Sequence, residues 1–170
     1  PIAGADVPEV FTLRTMRDAL ALRDTAVEGR RVLVLGGGLL GLEVAAALNA
    51  RGVSVTVVEV FPRLLPRQLD AEGAAVLEER IERSGVEILT GDSCTVIEPN
   101  GDAKRCRMKS GEVLEADLIV ISAGARSNVT LAQEASIVCA RGVVVDEHLR
   151  TSAPDVYAVG DVAEFEGRVW

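Results

Sequence analysis

The run Arg31-Val-Leu-Val-Leu-Gly-Gly-Gly-Leu-Leu-Gly-Leu-Glu43 limits the fold of this chain more than any other feature. Apolar Val32–Leu35 between polar Arg31 and the glycines reads as a strand covered on both faces. Gly36-x-Gly38-x-x-Gly41 then opens a helix over residues 39–51, which Gly52 stops. Residues 53–59 read as a second strand ending in Glu59, 23 residues after Gly36. Two strands joined through one short helix must lie parallel, with a right-handed crossover.

Each part of this unit answers one need of a bound dinucleotide. Gly36 allows a tight turn after the strand. Gly38 lacks a Cβ, so the backbone there can approach a pyrophosphate. Gly41 lets helix and strand pack closely, and the helix N-terminus offers N–H groups and a positive dipole end to phosphates. Glu59 stands where a carboxylate accepts hydrogen bonds from the adenosine ribose hydroxyls. It would repel a 2′-phosphate by about 4 kcal/mol at 4 Å and an effective dielectric of 20. NAD is therefore expected, with NADP the weaker fit. Arg63 and Arg67 in the following loop are the residues that argue the other way. Glu43 reads equally as a helix-start acid stabilised by the dipole or as a ligand contact. Asp161 after Gly160 fits a simple N-cap, and His148, in Asp-Glu-His-Leu-Arg, reads as an exposed surface residue.

The rest of the chain fills out an α/β fold. Residues 1–11 read as an irregular lead-in and residues 15–27 as a helix. A loop at 60–69 precedes a helix capped by Asp70 and running to about Arg83, followed by a strand at 86–89. From 93 to 115 short β-like runs alternate with turns at Asn100-Gly101-Asp102 and Ser110-Gly111, as in an antiparallel meander. A buried strand at 118–122, a short helix near 129–135 and strands near 143–145 and 156–159 complete the pattern. The expected class is a Rossmann-like parallel sheet with helices on one side and an antiparallel β-meander, in three layers.

The 170 residues carry a net charge of −8 without a basic run, which argues against nucleic acid or a membrane surface as partner. No apolar stretch is long enough to span a bilayer, and no signal peptide is visible. Cys94, Cys106 and Cys139 lack paired spacing, so a disulfide framework or zinc site is not expected; burial in a reducing cytoplasm is. No metal cluster or catalytic triad is expected either.

Four segments, in this order, resemble the NAD-binding domain of the FAD-dependent pyridine nucleotide–disulfide oxidoreductase superfamily. They are Gly-Gly-Gly-Leu-Leu-Gly-Leu-Glu at 36–43, Val-Thr-Val-Val-Glu-Val-Phe-Pro-Arg-Leu-Leu-Pro at 55–66, Ala-Asp-Leu-Ile-Val-Ile-Ser-Ala-Gly-Ala-Arg-Ser-Asn at 116–128, and Thr-Ser-Ala-Pro-Asp-Val-Tyr-Ala-Val-Gly-Asp at 151–161. Ser127 replaces the usual proline. Within the superfamily, Arg67-Gln-Leu-Asp70 and Gly160–Gly167 are most similar to NAD(P)H nitrite reductase flavoprotein portions and to rubredoxin and ferredoxin reductases.

The resemblance implies roles by position. Gly36, Gly38 and Gly41 hold the pyrophosphate with the N–H groups of Leu39 and Leu40. Glu59 holds the ribose, Glu43 lies near the nicotinamide carboxamide, Gly124 borders the dinucleotide, and Asp161 bonds the ribityl chain of FAD. It also implies hydride transfer from NAD(P)H to flavin, with electrons passing to an iron–sulfur or sirohaem acceptor. Residues 1–30 are then a lead-in and connecting helix, 31–150 the NAD(H)-binding domain, and 151–170 the start of a return segment. The family's first glycine motif, which binds FAD, is expected to belong to a missing FAD domain of the same chain, so this fragment alone is expected to be inactive. The alternatives are a non-enzymatic NAD-sensing module, a dehydrogenase of a small substrate, and a structural nucleotide-binding domain.

Overall fold

A computed structural model describes residues 2–124 and 126–169. Pro1, Ala125 and Trp170, which fall in the expected lead-in, second glycine segment and return segment, lie outside the described residues. The chain divides into two compact units, Pro1–Gly124 and Ala125–Trp170. This parting comes earlier in the chain than the 150/151 boundary read from the sequence.

The first unit follows the order β1 (Val10–Thr12), α1 (Met16–Thr25), β2 (Arg31–Leu35), α2 (Leu39–Asn49), β3 (Ser54–Glu59), α3 (Ala71–Glu82), β4 (Glu87–Thr90), β5 (Cys94–Asn100), β6 (Ala103–Met108), β7 (Val113–Ala116) and β8 (Leu118–Ile121). Five strands form a parallel sheet in the order β1-β8-β2-β3-β4. Strand order reverses around β2, since the chain runs outward through β3 and β4 and later returns to the other side as β8. Such a reversal leaves a crevice at the carboxyl ends of the strands.

The two faces of the sheet are buried by different partners. Successive strand residues point to opposite faces, so Val32 and Val34 pack with Val55, Val57, Leu118 and Val120 against Leu22 of α1 and Val44, Ala45 and Leu48 of α2. Leu33, Leu35, Val58 and Ile119 face the other way, against Cys94, Ile97, Cys106 and Met108 of the antiparallel β5-β6-β7 meander. Helices, parallel sheet and meander are thus the three layers expected from the sequence. Cys94 and Cys106 are free and buried, and Cys139 is free and half-buried.

Helix limits follow local chemistry. Thr15 and Asp18 form a capping box at the start of α1. Asp70 caps α3 by accepting from the Gly73 N–H at 2.8 Å. The lead-in, expected to be irregular, instead contains β1, which pairs with β8 more than a hundred residues away (Val10 opposite Ile119), while Ala3 bridges Val96. A partner so remote leaves no local periodicity by which to recognise a three-residue strand.

The second unit holds α4 (Thr130–Glu134), β9 (Val143–Val144), β10 (Ala163–Phe165) and β11 (Arg168–Val169), with the strands in the order β11-β10-β9. Val143, Val145, Ala158 and Ala163 form its small core. The strand expected at 156–159 is not formed: Tyr157 makes one isolated bridge to Arg150. Pro154 and the left-handed Asp155 (φ 59°) just before it prevent a regular ladder. Among the described residues no helix is long and apolar enough to cross a membrane.

Candidate functional site

The β2–α2 connection is built from glycines that are needed for different reasons. Gly36 has φ 122°, and its N–H continues the sheet by donating to the Val58 carbonyl at 2.8 Å. A Cβ there would lie 2.5 Å from the Ser122 carbonyl oxygen, so β8 would be pushed away. A side chain at Gly41 would run into the Gly36 carbonyl. These two positions are closed by the protein itself. Gly38 differs: nothing lies within 4 Å of where its Cβ would be, and its φ of −80° is ordinary. Its bareness leaves the backbone open on the solvent side, where a phosphate would approach.

Gly38 is also the N-cap of α2, and no side chain caps that helix. The first-turn N–H groups, including those of Leu39 and Leu40, have no intrahelical acceptor by the geometry of a helix start. Both leucine side chains are exposed. Glu43 is exposed as well, but it is the fifth residue of α2, whose first turn holds no acidic group. The dipole reading of Glu43 therefore loses force, because the dipole effect fades within the first turn. Gly124, with φ 88° and open space around it, follows Ser122, whose carbonyl abuts Gly36. The segment leading to Gly124 therefore meets the glycine loop at Ser122 and Ala123, whose backbone atoms lie within 3.3 Å of where a Gly36 Cβ would be.

Glu59 ends β3 beside this loop and is only 6% exposed. Its Oε2 accepts from the Gly37 N–H at 2.7 Å and its Oε1 from the Phe61 N–H at 2.9 Å. Each carboxylate oxygen carries two acceptor sites, so capacity remains for ribose hydroxyls. Gly37 is packed between Glu59 and Leu64: a Cβ would lie 2.7 Å from Leu64 Cδ2 and 3.0 Å from Glu59 Cβ. In the spacing Gly36-x-Gly38-x-x-Gly41, Gly37 stands at an x position to which the motif gives no role. Three consecutive glycines were the available signal, since the motif itself needs only the outer two.

Beyond Glu59, Val60 and Phe61 are exposed. Arg63 donates through Nη2 to the Pro66 carbonyl at 3.2 Å, which holds it to its own loop, while Arg67 is exposed. His148 is exposed, as read from the sequence. In the second unit Asp161 lies in a 3-10 turn, Gly160–Val162, whose N-cap is Val159. Asp161 is therefore not the N-cap expected of it. Its carbonyl accepts from the Ser127 hydroxyl at 2.6 Å, a bond that proline at 127 could not make. Among the described residues no three His, Cys, Asp or Glu side chains gather as a metal site would require.

Residues 1–170 match the family described as pyridine nucleotide-disulphide oxidoreductase. Rubredoxin-NAD(+) reductase of Ectopseudomonas oleovorans is 40% identical over 98% of this chain and 44% of its own length. A solved ferredoxin reductase from Rhodopseudomonas palustris has a TM-score of 0.91 and 35% identity, covering 97% of this chain and 41% of its own. An NADPH oxidase engineered by five substitutions from the water-forming NADH oxidase of Lactobacillus brevis has a TM-score of 0.88 and 27% identity, covering 95% of this chain and 36% of its own. The chain thus spans less than half the length of these proteins.

Proposed function

The chain belongs to the pyridine nucleotide-disulphide oxidoreductase family, and from that premise we propose that it is the NAD(H)-binding part of an FAD-dependent reductase. The observation that carries this reading is the meeting of the open Gly38 backbone, the uncapped start of α2 and the carboxylate of Glu59 at the carboxyl ends of adjacent strands. Phosphates approach the open Gly38 and the N–H groups of Leu39 and Leu40, on a loop whose turn and packing Gly36 and Gly41 allow; Glu59 takes the adenosine ribose, and Gly124 borders the dinucleotide. Glu43, exposed on the second turn of α2, lies toward the nicotinamide carboxamide. Residues 31–150 form the nucleotide-binding domain and 151–170 the start of a return toward the flavin domain.

Spacing in the engineered oxidase supports NAD over NADP. Its five substitutions fall on a glycine, then eighteen positions later on consecutive aspartate, alanine and methionine, then five positions later on a proline. This chain has Gly41, then Glu59, Val60 and Phe61 at the same spacing, then Pro66. The acid, the two small or apolar residues and the proline all match the NADH-using parent type rather than the NADPH-using variant.

FAD, held in the whole protein, would supply the hydride acceptor and the route for electrons onward. Of the described residues Asp161 is assigned to it, near the ribityl chain. The likeness to a rubredoxin reductase supports an iron–sulfur protein as acceptor, and the free thiols support a reducing cytoplasm. The test is the combined change Glu59→Ala, Val60→Arg, Phe61→Ser and Pro66→Arg, made with and without Gly41→Ala. Affinity should move from NADH to NADPH. Unchanged preference in both forms would refute the assignment of this loop to the adenosine ribose.

A further inference from the structure

Glu59, assigned above to the ribose, also ties two loops of this structure together. Its two oxygens accept from two backbone N–H groups on different loops, Gly37 at 2.7 Å and Phe61 at 2.9 Å. The same two loops meet again nearby. Leu64, fully buried, lies under Gly37 where a Cβ would sit, and the Leu65 N–H donates to the Gly37 carbonyl at 3.4 Å. Leu65 takes a left-handed backbone (φ 46°) to do so, a conformation that side-chain-bearing residues adopt only when the surroundings impose it. Gly37 is therefore held from three directions: N–H by Glu59, carbonyl by Leu65, and Cα by Leu64.

We propose that Glu59 is a positioning residue for the pyrophosphate loop. Its carboxylate clamps Gly37 to the loop after β3 before any ligand arrives, and so sets the backbone through which Gly38, Leu39 and Leu40 meet phosphate. Affinity for the phosphates and selection at the ribose are then coupled through one side chain. The inference rests on the dinucleotide reading above and extends it.

The clamp and the ribose contact respond differently to Glu59→Gln. A glutamine has one acceptor oxygen and one NH₂ donor. It can still bond ribose hydroxyls, but it cannot accept from both Gly37 and Phe61, and one N–H is left facing another donor. The substitution is isosteric, so the buried apolar surroundings are unchanged.

The experiment compares this chain with its Glu59→Gln form in two ways. Amide hydrogen exchange at Gly37 and Phe61 is followed without ligand. Affinity is measured for NADH and for its analogue lacking both adenosine ribose hydroxyls. The clamp predicts slow exchange at Gly37 and Phe61 that becomes fast at one or both in the variant, and about tenfold weaker binding of the dideoxy analogue. Equal analogue affinity in the two proteins would overturn the positioning role, leaving Glu59 a ribose ligand only. Unchanged exchange would overturn the clamp. If neither protein binds NADH or the analogue, the dinucleotide reading and the positioning role that rests on it both fail, while the exchange data separately decide whether the clamp exists.

Discussion

At the scale of single residues the glycine loop shows how one residue type serves opposite ends. Gly36 and Gly41 are closed by neighbouring backbone, whereas Gly38 is left open to solvent. Gly36→Ala should therefore damage the fold itself. Left-handed backbone costs about 1–2 kcal/mol for a residue with a Cβ, and displacing the Ser122 carbonyl adds to it. Urea denaturation should show a loss of at least about 2 kcal/mol. Gly38→Ala should leave the urea midpoint nearly unchanged and weaken NADH binding, because its Cβ would occupy only the space a phosphate needs. The placement of the motif glycines at a strand–helix turn and of Glu59 at a strand end was legible from spacing alone. The bond from Gly37 to Glu59 was not, because hydrogen-bond partners across two loops depend on the folded backbone and leave no pattern in the sequence.

Elements repeat this division between local and distant causes. β2, α2, β3 and α3 came out within two residues of their sequence limits because their signals are local: apolar runs, caps and stopping glycines. Asp70 is one such signal, and Asp70→Ala removes the acceptor of the Gly73 N–H at the start of α3. The expected loss is about 1 kcal/mol, read as a lower urea midpoint with unchanged slope. β1, β10 and β11 escaped notice because each is two or three residues long and is defined by its partner. The hairpin between β5 and β6 was foreseen from Asn100-Gly101-Asp102, and the register places Asn100 opposite Ala103 with Gly101 and Asp102 at the turn. The layered arrangement itself was legible, since Val32 to Leu35 needs cover on both faces and only the helices and the meander are available to provide it.

For the first unit taken whole, an ion cluster joins distant parts of the chain. Glu9, just before β1, pairs with the buried Lys104 of β6 and with Arg30 before β2. The hydrogen bond from Lys104, with a further one from Arg30, holds the Glu9 carboxyl below its ordinary value against the opposing effect of burial. A carboxyl lowered on folding contributes stability that is fully present above its unfolded value, near pH 4.3, and is lost as pH falls through the lowered folded value. Asp117, lowered chiefly by its bond from Arg31, acts in the same sense. Stability should accordingly decline below about pH 4. Glu9→Gln should cost on the order of 1–2 kcal/mol at pH 7, because Lys104 stays buried without its ion partner, and should lose less on acidification than the parent. Urea titrations at pH 7 and at about pH 3, below the unfolded carboxylate range, give both numbers.

Under the proposed function these 170 residues carry a nucleotide site, and Asp161 is the one described residue assigned to flavin. The chain by itself should show no flavin absorbance and no NADH-dependent dye reduction. The most direct test is calorimetric titration of the purified chain with NADH and NADPH, alongside Glu59→Ala. The account predicts NADH binding tighter than NADPH by about tenfold or more, and a Glu59→Ala protein that binds NADH more weakly with the gap narrowed. Binding of NADPH equal to or tighter than NADH, or no binding of either, would contradict it.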